Sequence, residues 1–196
     1  MGMKPVATLA HFDRVFSRSS DPWFTRSSQA EVHKRKVILG LMGSGRLGRV
    51  LELGCGNGSN TVQLARRALS LDACDGSVEA LRRADSVTSG IPHLTLHHTS
   101  LPARFPCNRY DAIVIAELLY YLDDQCFAAT MREIDRTLRP GGLLLLCHHH
   151  RQFDDAAQRQ ASLHERFVRY SRFQWANERA HRTSRWIAQA YRRYSN

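Results

Sequence analysis

Three glycines at alternate positions, directly after a short apolar run, constrain the fold of this chain more than any other feature. Residues 49–53 have the length and apolar character of a buried strand, and the overlapping stretch 52–58 reads ELGCGNG. Glycines at such a junction let the backbone adopt positive φ and approach a ligand closely, and a helix start offers free N–H groups. The stretch therefore predicts a strand, loop and helix that bind a small molecule.

The same alternation of strand and helix continues through the middle of the chain. Apolar strands are predicted near 69–74, 94–98, 111–116 and 143–147, with helices near 77–87 and 123–138 between them. Apolar runs bounded by glycine and proline and separated by helices are typical of a parallel sheet buried on both faces. The sequence predicts an α/β fold, a Rossmann-like three-layer sandwich with a mostly parallel seven-stranded sheet.

The 196 residues are interpreted as one domain with three parts. Residues 1–45 form an N-terminal arm and lid helix, in which 1–28 show no clear periodicity and 29–42 have helical spacing. Residues 46–150 form the cofactor-binding core. Residues 151–196 add a helix near 161–170 and strands near 173–176 and 184–191, which we expect on the acceptor side.

The glycine spacing distinguishes this loop from two common nucleotide-binding motifs. The pattern ExGxGxG differs from the dinucleotide fingerprint GxGxxG, and no lysine follows as a P-loop requires. With Asp75 after the second strand, Glu117 at the end of the fourth and Arg139-Pro140-Gly141-Gly142 before the fifth, residues 50–146 resemble the class I S-adenosylmethionine-dependent methyltransferases.

That resemblance implies S-adenosyl-L-methionine as cofactor and S-adenosyl-L-homocysteine as product. The glycine loop would hold the methionine part, and Asp75 would accept the ribose hydroxyls, with Asp72 as the alternative acid. Ser100 stands where the family usually has an aspartate near the adenine amine, and a hydroxyl there carries no charge. The implied cofactor-binding residues are Glu52, Gly54, Cys55, Gly56, Gly58, Asp75, Gly76, Ser77, Ser100, Leu101, Ala116 and Glu117.

A narrower resemblance concerns the acceptor. The strings DPW at 21–23, ELLYYL at 117–122 and CHHHR at 147–151 are similar to those of the nodulation protein S family. Members of that family methylate the free amine of a deacetylated amino sugar in a chitooligosaccharide. The resemblance implies a small-molecule acceptor of this kind, an amino sugar or oligosaccharide.

Methyl transfer from a sulfonium is an in-line displacement, so the acceptor lone pair must be held near the methyl group and kept deprotonated. His148, at the end of the fifth strand, is the candidate base, with Glu117 able to orient an ammonium or a hydroxyl. The candidate substrate-binding residues are Trp23, Tyr121, His148 and His164. Three alternatives stay open: the histidines cap a strand, Trp23 anchors the arm, and His164 is a packing or solvated residue.

The charge of the chain suggests a rival acceptor. There are 28 Lys and Arg against 18 Asp and Glu, and the ends carry the excess, with nine basic and three acidic residues in 1–50 and ten and four in 151–196. A basic surface attracts anions, so RNA methylation is a second interpretation, although arginines on solvated helix faces explain the charge as well. A non-catalytic protein that binds S-adenosylmethionine is a third, suggested by Ser100.

Cysteine usage and hydropathy set the expected compartment. The five cysteines are an odd number with no CxxC pair and no ligand-like spacing to a histidine, so we expect reduced thiols, no metal site and a cytoplasmic location. The longest apolar run, 142–147, is too short to cross a bilayer, so no membrane span is expected. The sequence leaves the oligomeric state open.

Overall fold

The computed structural model describes residues 7–194, and its centre is one seven-stranded sheet. Its strands are β1 (Leu47–Leu53), β2 (Ala68–Asp75), β3 (Leu94–His98), β4 (Tyr110–Ala116), β5 (Leu138–His149), β6 (Trp175–Arg182) and β7 (Trp186–Arg193). The helices are α1 (Leu9–Arg18), α2 (Gln29–Leu41), α3 (Thr61–Ala65), α4 (Val78–Thr88), α5 (Asp124–Thr137) and α6 (Leu163–Val168), with a 3₁₀ turn at Leu119–Tyr121.

The order of the strands is β3-β2-β1-β4-β5-β7-β6. The first five in this order run parallel, whereas β7 is antiparallel to β5 and β6 is antiparallel to β7. The predicted Rossmann-like fold with a mostly parallel seven-stranded sheet is thereby confirmed. The strand order reverses between β1 and β4, and ligands of such sheets bind at the carboxyl ends of the strands beside that reversal.

Alternate residues of the central strands pack into two different layers. Leu51, Ile113 and Leu144 belong to a core that includes Phe127 of α5 and Phe167 of α6. Their strand neighbours Val50, Val114 and Leu145 belong to the opposite core, together with residues of α2 and α3. Successive side chains of a strand point to opposite faces, so both faces of the sheet are covered and the three layers follow.

The N-terminal arm is the main point at which the expected secondary structure is wrong. Residues 1–28 were expected to lack regular structure, but Leu9–Arg18 form α1, and the Thr8 side chain accepts a hydrogen bond from the N–H of His11. Leu9, Phe12 and Phe16 lie at helical spacing, and Phe16 is buried. The short apolar pattern after a capping threonine was the available signal.

Two strand boundaries also differ from the expectation. β5 begins at Leu138 instead of 143, because Leu138 pairs with Tyr110 and the next paired residue is Leu143, opposite Ala112. Residues 139–142 therefore bulge out of the ladder and carry the expected turn within the strand. β6 spans Trp175–Arg182 instead of 173–176. It is a mostly exposed edge strand, so pairing with β7 defines it and apolar alternation does not.

Candidate active site

The glycine loop after β1 is shaped by two close approaches. Gly54 has φ +74°, and a Cβ built there would lie 3.3 Å from side-chain atoms of Leu118. Gly58 has φ +80°, and its Cβ would lie 3.0 Å from the backbone of Ala84 in α4. A side chain at either position would meet both strain and collision, so the loop keeps its backbone open and close to its neighbours.

Asp75 faces this loop from the end of β2. One carboxylate oxygen accepts the N–H of Gly56 at 2.8 Å, and the other accepts the N–H of Ser77 at 2.9 Å. Burial raises the pKa of Asp75, and these two hydrogen bonds oppose that rise. Each oxygen retains a second lone pair for a ligand hydroxyl.

Asp72, the alternative acid, lies in a different environment. Its carboxylate binds Arg49 at 3.0 Å, His97 at 2.9 Å and the hydroxyl of Tyr110 at 3.1 Å, all within the sheet. The side chain is 4% exposed. Asp72 therefore links neighbouring strands of the sheet. The acid that contacts the glycine loop is Asp75.

Glu52 lies beneath the glycine loop and is 2% exposed. The hydroxyl of Thr61, at the start of α3, donates to its Oε2 over 2.6 Å. Burial raises the pKa of Glu52 to about 8 against the effect of that hydrogen bond. Burial therefore favours the neutral carboxyl group, and the hydrogen bond from Thr61 ties the loop to the following helix.

The other expected cofactor residues surround the same loop. Cys55 is buried, which raises the pKa of its thiol. Gly76 lies under Leu9 of α1, and Ser100 is exposed just after β3, next to Thr99, whose N–H binds the Asp75 carbonyl at 2.9 Å. Leu101 and Ala116 are half-buried at the carboxyl ends of β3 and β4.

The N-terminal segment is fastened to this loop by side chains that the sequence analysis did not single out. Asn57 donates to the carbonyl of Ser20 at 3.0 Å and to Asp21 at 3.1 Å, and Arg26 donates to the Asn57 carbonyl at 2.8 Å. Phe16 lies 3.6 Å from the position of a Cβ on Gly56. The segment therefore covers the cofactor loop. An asparagine between loop glycines gave no recognisable signal.

Glu117 is held at the end of β4 with φ +55°, a conformation that costs a non-glycine residue about 1–2 kcal/mol. Its Oε1 binds Lys34 Nζ at 2.8 Å and His149 Nδ1 at 2.9 Å. Its Oε2 accepts the Tyr120 hydroxyl at 2.8 Å and the His149 N–H at 3.2 Å. Burial opposes ionisation, but His149 and Lys34 outweigh it and hold the pKa of Glu117 far below its usual value.

His148 is 1% exposed and both of its ring nitrogens are used inside the protein. Nε2 accepts the N–H groups of Leu118 at 3.3 Å and Leu119 at 3.1 Å, and Nδ1 lies 2.8 Å from Nε2 of His164. Burial drives the pKa of His148 well below its usual value. The geometry contradicts the expected role of base. His148 instead fixes the backbone turn after Glu117.

His164 was expected to bind substrate, and the structure places it elsewhere. It is 2% exposed, and its Nδ1 lies 2.6 Å from Oε1 of Gln189. Burial lowers its pKa to about 4, against the hydrogen bond to Gln189. His164 is a packing residue behind His148, which is the alternative that the sequence left open.

A cleft of about 390 Å³ opens beside the Glu117 network. Its wall combines aromatic rings with charged and hydroxyl groups, from Trp23, Phe24, Ser27, Ser28, Ala30, Glu31, His149, Arg185 and Trp186. Trp23 lines this cleft and also contacts Phe16, at 5.3 Å between ring centroids, so it both anchors the segment and borders the cleft. Tyr121 is half-buried and packs edge-on against Phe12 at 5.0 Å.

Within residues 7–194, none of the helices is long and apolar enough to span a membrane. In the same range, no group of three or more histidine, cysteine or acidic side chains is arranged to hold a metal ion.

Comparison with known proteins bears on the same region. Residues 50–142 match the methyltransferase domain family. Nodulation protein S of Azorhizobium caulinodans is 30% identical over 125 residues, which cover 62% of this chain and 59% of that protein. An uncharacterized methyltransferase of Mycobacterium tuberculosis is 33% identical over 95 residues, 48% of this chain and 47% of that protein. The matches thus span about half the length of these curated relatives.

Solved structures extend the comparison to the whole fold. The N-methyltransferase NodS from Bradyrhizobium japonicum, in complex with S-adenosyl-L-homocysteine, superimposes with a TM-score of 0.79 at 22% identity, over 94% of this chain and 97% of that one. A Pseudomonas syringae structure described as a putative methyltransferase has a TM-score of 0.72 at 26% identity, over 85% and 100%.

The sheet order, the glycine loop and the matched domain point to one class of protein. The chain resembles the class I S-adenosylmethionine-dependent methyltransferases: the methyltransferase domain family matches residues 50–142, and the fold is shared. Within that class it resembles nodulation protein S, at about 30% identity in sequence and over nearly the full fold in structure.

Proposed function

We propose that this protein transfers a methyl group from S-adenosyl-L-methionine to the free amine of a deacetylated amino sugar, alone or within a chitooligosaccharide. The observation that carries the methyl transfer is the glycine loop with Asp75 held against it. The amine acceptor is supported by the similarity to nodulation protein S and by the mixed aromatic and charged cleft.

The residues around the loop fit this cofactor. At Gly56 the absence of a side chain leaves the backbone accessible to ligand atoms, since the nearest atom to a built Cβ is the tip of the Phe16 ring at 3.6 Å. Asp75 has oxygen lone pairs for a pair of ribose hydroxyls. We propose that Ser100, exposed just after β3, faces the adenine amine. The three strands that provide these groups, β1, β2 and β3, are adjacent in the sheet, so a single extended ligand reaches all of them.

The acceptor would then lie over the next strands of the sheet. Glu117 ends β4 and His149 ends β5, on the other side of the strand-order reversal from Asp75. Trp23 and Phe24 offer ring faces for the apolar side of a sugar, and Glu31 offers a carboxylate for its hydroxyl or ammonium groups. The cofactor would thus lie over β1, β2 and β3 and the acceptor over β4 and β5. The methyl group and the acceptor amine would meet between them, near the centre of the sheet.

The chemistry requires positioning more than covalent catalysis. The cofactor supplies a methyl group bonded to a positively charged sulfur. The protein must aim an amine lone pair along the axis of the carbon–sulfur bond and exclude competing water. The N-terminal segment docked on Asn57, with Phe12 and Phe16 packed against Trp23, encloses the site for that purpose.

Calorimetric titration with S-adenosyl-L-methionine tests the cofactor site. Gly56→Arg places a long side chain where φ is +55° and Phe16 is near, so we expect binding to be lost. Gly45→Arg is the matched control, because no atom lies within 4 Å of its built Cβ. Unchanged affinity in Gly56→Arg would refute the loop assignment.

Formation of S-adenosyl-L-homocysteine tests the acceptor. Chitosan oligosaccharides, acetylated chitin oligosaccharides and a transfer RNA pool are compared, and we expect turnover only on the sugars with free amines. Turnover on RNA, weakened steeply by salt, would assign the acceptor role to nucleic acid instead. Cofactor binding without turnover on any acceptor would favour a non-catalytic binding protein.

The cysteines support a proposal on compartment. All five are free in the structure, and Cys55, Cys74, Cys126 and Cys147 are buried. Unpaired thiols persist where glutathione and thioredoxin keep them reduced, so we propose a cytoplasmic location. Fractionation of the source cells with thiol labelling checks it, and recovery outside the reducing compartment would contradict it.

A further inference from the structure

His149 differs from its two histidine neighbours in having one side fixed and the other open. Its Nδ1 lies 2.9 Å from Oε1 of Glu117, and the side chain is 27% exposed. Within residues 7–194, its Nε2 has no hydrogen-bond partner. The ring also forms part of the cleft wall. In the part of the chain that the structure describes, His150 has a buried Nε2 without a partner and His148 is fully enclosed, and neither belongs to the cleft wall.

The contact with Glu117 determines which nitrogen is available. An ionised carboxylate only accepts hydrogen bonds, so Nδ1 of His149 must carry the hydrogen that it shares with Glu117. In the neutral ring, Nε2 is then the acceptor. The backbone N–H of His149 also binds Glu117, at 3.2 Å, which holds the carboxylate against the strand that carries the ring. The arrangement holds a proton acceptor in one orientation.

Glu117 itself is not free for this task. Its two oxygens accept from Lys34, Tyr120 and twice from His149. Burial opposes the charge of Lys34, but Glu117 and Glu31 outweigh it and raise its pKa, so Lys34 stays cationic beside the carboxylate. Proton transfer to Glu117 would require breaking this network. Glu31 also borders the cleft, but its carboxylate is paired with Lys34 at 2.8 Å. Among the three histidines at the end of β5, His149 is the one in the cleft wall.

We propose that His149 is the catalytic base that takes the proton from the acceptor ammonium in this cleft. The inference rests on the proposed function and assigns its missing proton acceptor. One N–H bond of the ammonium breaks and the proton bonds to Nε2, which leaves the nitrogen lone pair free. That pair forms the bond to the methyl carbon while the carbon–sulfur electrons go to sulfur. His149 then releases its proton to water at the open side of the cleft.

Four other charged groups face His149 or its cleft. Glu31 and Lys34 come from α2, Glu117 from the end of β4, and Arg185 from the turn between β6 and β7. Glu31 binds Lys34 at 2.8 Å, so this pair of opposite charges borders the site on one side. The cleft therefore holds both signs of charge, and an acceptor ammonium can be bound without replacing Lys34.

The kinetic experiment compares His149→Gln with His150→Gln, a neighbouring histidine whose ring nitrogen is buried. At pH 7, we expect kcat for glucosamine or chitosan trimer to fall about a hundredfold in His149→Gln, the lower end for loss of a general base. The Kd for S-adenosyl-L-methionine should stay within about twofold. At pH 9.5, above the value of about 8 for an α-amino group, the acceptor arrives unprotonated and the deficit should shrink to about threefold.

A purely structural role predicts a different pattern. A deficit in His149→Gln that is equal at pH 7 and pH 9.5 would overturn the proposal, as would unchanged kcat at pH 7. His150→Gln should show neither the deficit nor the recovery at high pH. If His150→Gln showed both, the effect would belong to the strand end in general and the assignment of His149 would fail.

A binding measurement is independent of turnover. In ¹⁵N-histidine-labelled protein without cofactor, we expect His149 to carry hydrogen on Nδ1 and its ring signals to shift when glucosamine is added. His149 signals that do not move while calorimetry detects glucosamine binding would overturn the proposal. If the ring signals shift but no free-amine sugar is methylated, the proposed function fails. If free-amine sugars are methylated and the His149 signals do not shift, the base assignment alone fails.

Discussion

Replacing Glu52 with glutamine should change how the stability of this protein depends on pH. Burial beneath the glycine loop raises the pKa of Glu52 from 4.5 to about 8. Between these values, the folded protein keeps a proton that the unfolded chain has lost. The free energy of unfolding therefore falls as pH rises, by about 1.4 kcal/mol per pH unit from this residue. Below pH 4.5 the effect is absent, and above pH 8 it is complete.

Urea unfolding at pH 5.5, 6.5 and 7.5 measures the difference. Across these two units, wild type should lose about 3 kcal/mol relative to Glu52→Gln, because the amide cannot ionise. For a domain of this size, that corresponds to a relative shift in Tm of about 6–12 °C. The glutamine can keep a hydrogen bond to Thr61, so the packing beneath the loop is retained.

A control separates burial from the simple loss of a carboxylate. Glu79→Gln removes the carboxylate that pairs with Arg82, whose side chain is 61% exposed. Its profile should follow the wild type, since no buried carboxyl group is removed. If the profiles of Glu52→Gln and wild type run parallel between pH 5.5 and 7.5, then Glu52 ionises in the folded protein as it does in water and the reasoning is refuted.

Two further perturbations test the core and the N-terminal segment. Phe127 is 1% exposed and lies 4.9 Å from the ring of Phe167, so Phe127→Ala should lower the free energy of unfolding by about 3–5 kcal/mol. Tyr170→Ala should lower it much less, because Tyr170 is 47% exposed. Equal urea midpoints for the two variants would contradict this. Asn57→Ala removes the two hydrogen bonds that its amide donates to the N-terminal segment, at Ser20 and Asp21, worth about 1 kcal/mol each, so trypsin should cleave after Arg26 about thirtyfold faster. Asn60→Ala, whose side chain makes no capping bond, should match the wild-type rate.

The cofactor half of the fold could be predicted because its constraints are local. Gly54 and Gly58 must be glycines where the chain turns against Leu118 and Ala84, and such positions are visible in a sequence. The end of β2 is also visible as an apolar run that stops at Asp75. The helix α1 was missed because only Phe16 is buried, so the apolar pattern is short and the flanking serines and arginines hide it.

The acceptor side could be predicted less well because contacts far apart in sequence form it. Lys34 and Glu117 are separated by 83 residues, and nothing in either segment indicates that a buried ammonium will meet that carboxylate. β6 likewise depends on pairing with β7, since its exposed residues show no apolar alternation. The Lys34–Glu117 pair and the strand β6 form only when distant segments come together in the sheet. A residue pattern along the chain does not specify such contacts.

The histidines at the end of β5 show why the base was assigned to the wrong residue. Adjacent side chains in a strand point to opposite faces, so His148 and His149 must enter different layers. His148 enters the layer that contains His164 of α6, where burial and backbone N–H groups occupy it. His149 pairs with Trp186 and enters the layer of α2, where Glu31 and Trp186 line the cleft. Alternation along the strand implies that only one of these two histidines can enter the cleft. The position of α2 places the cleft on the side of His149.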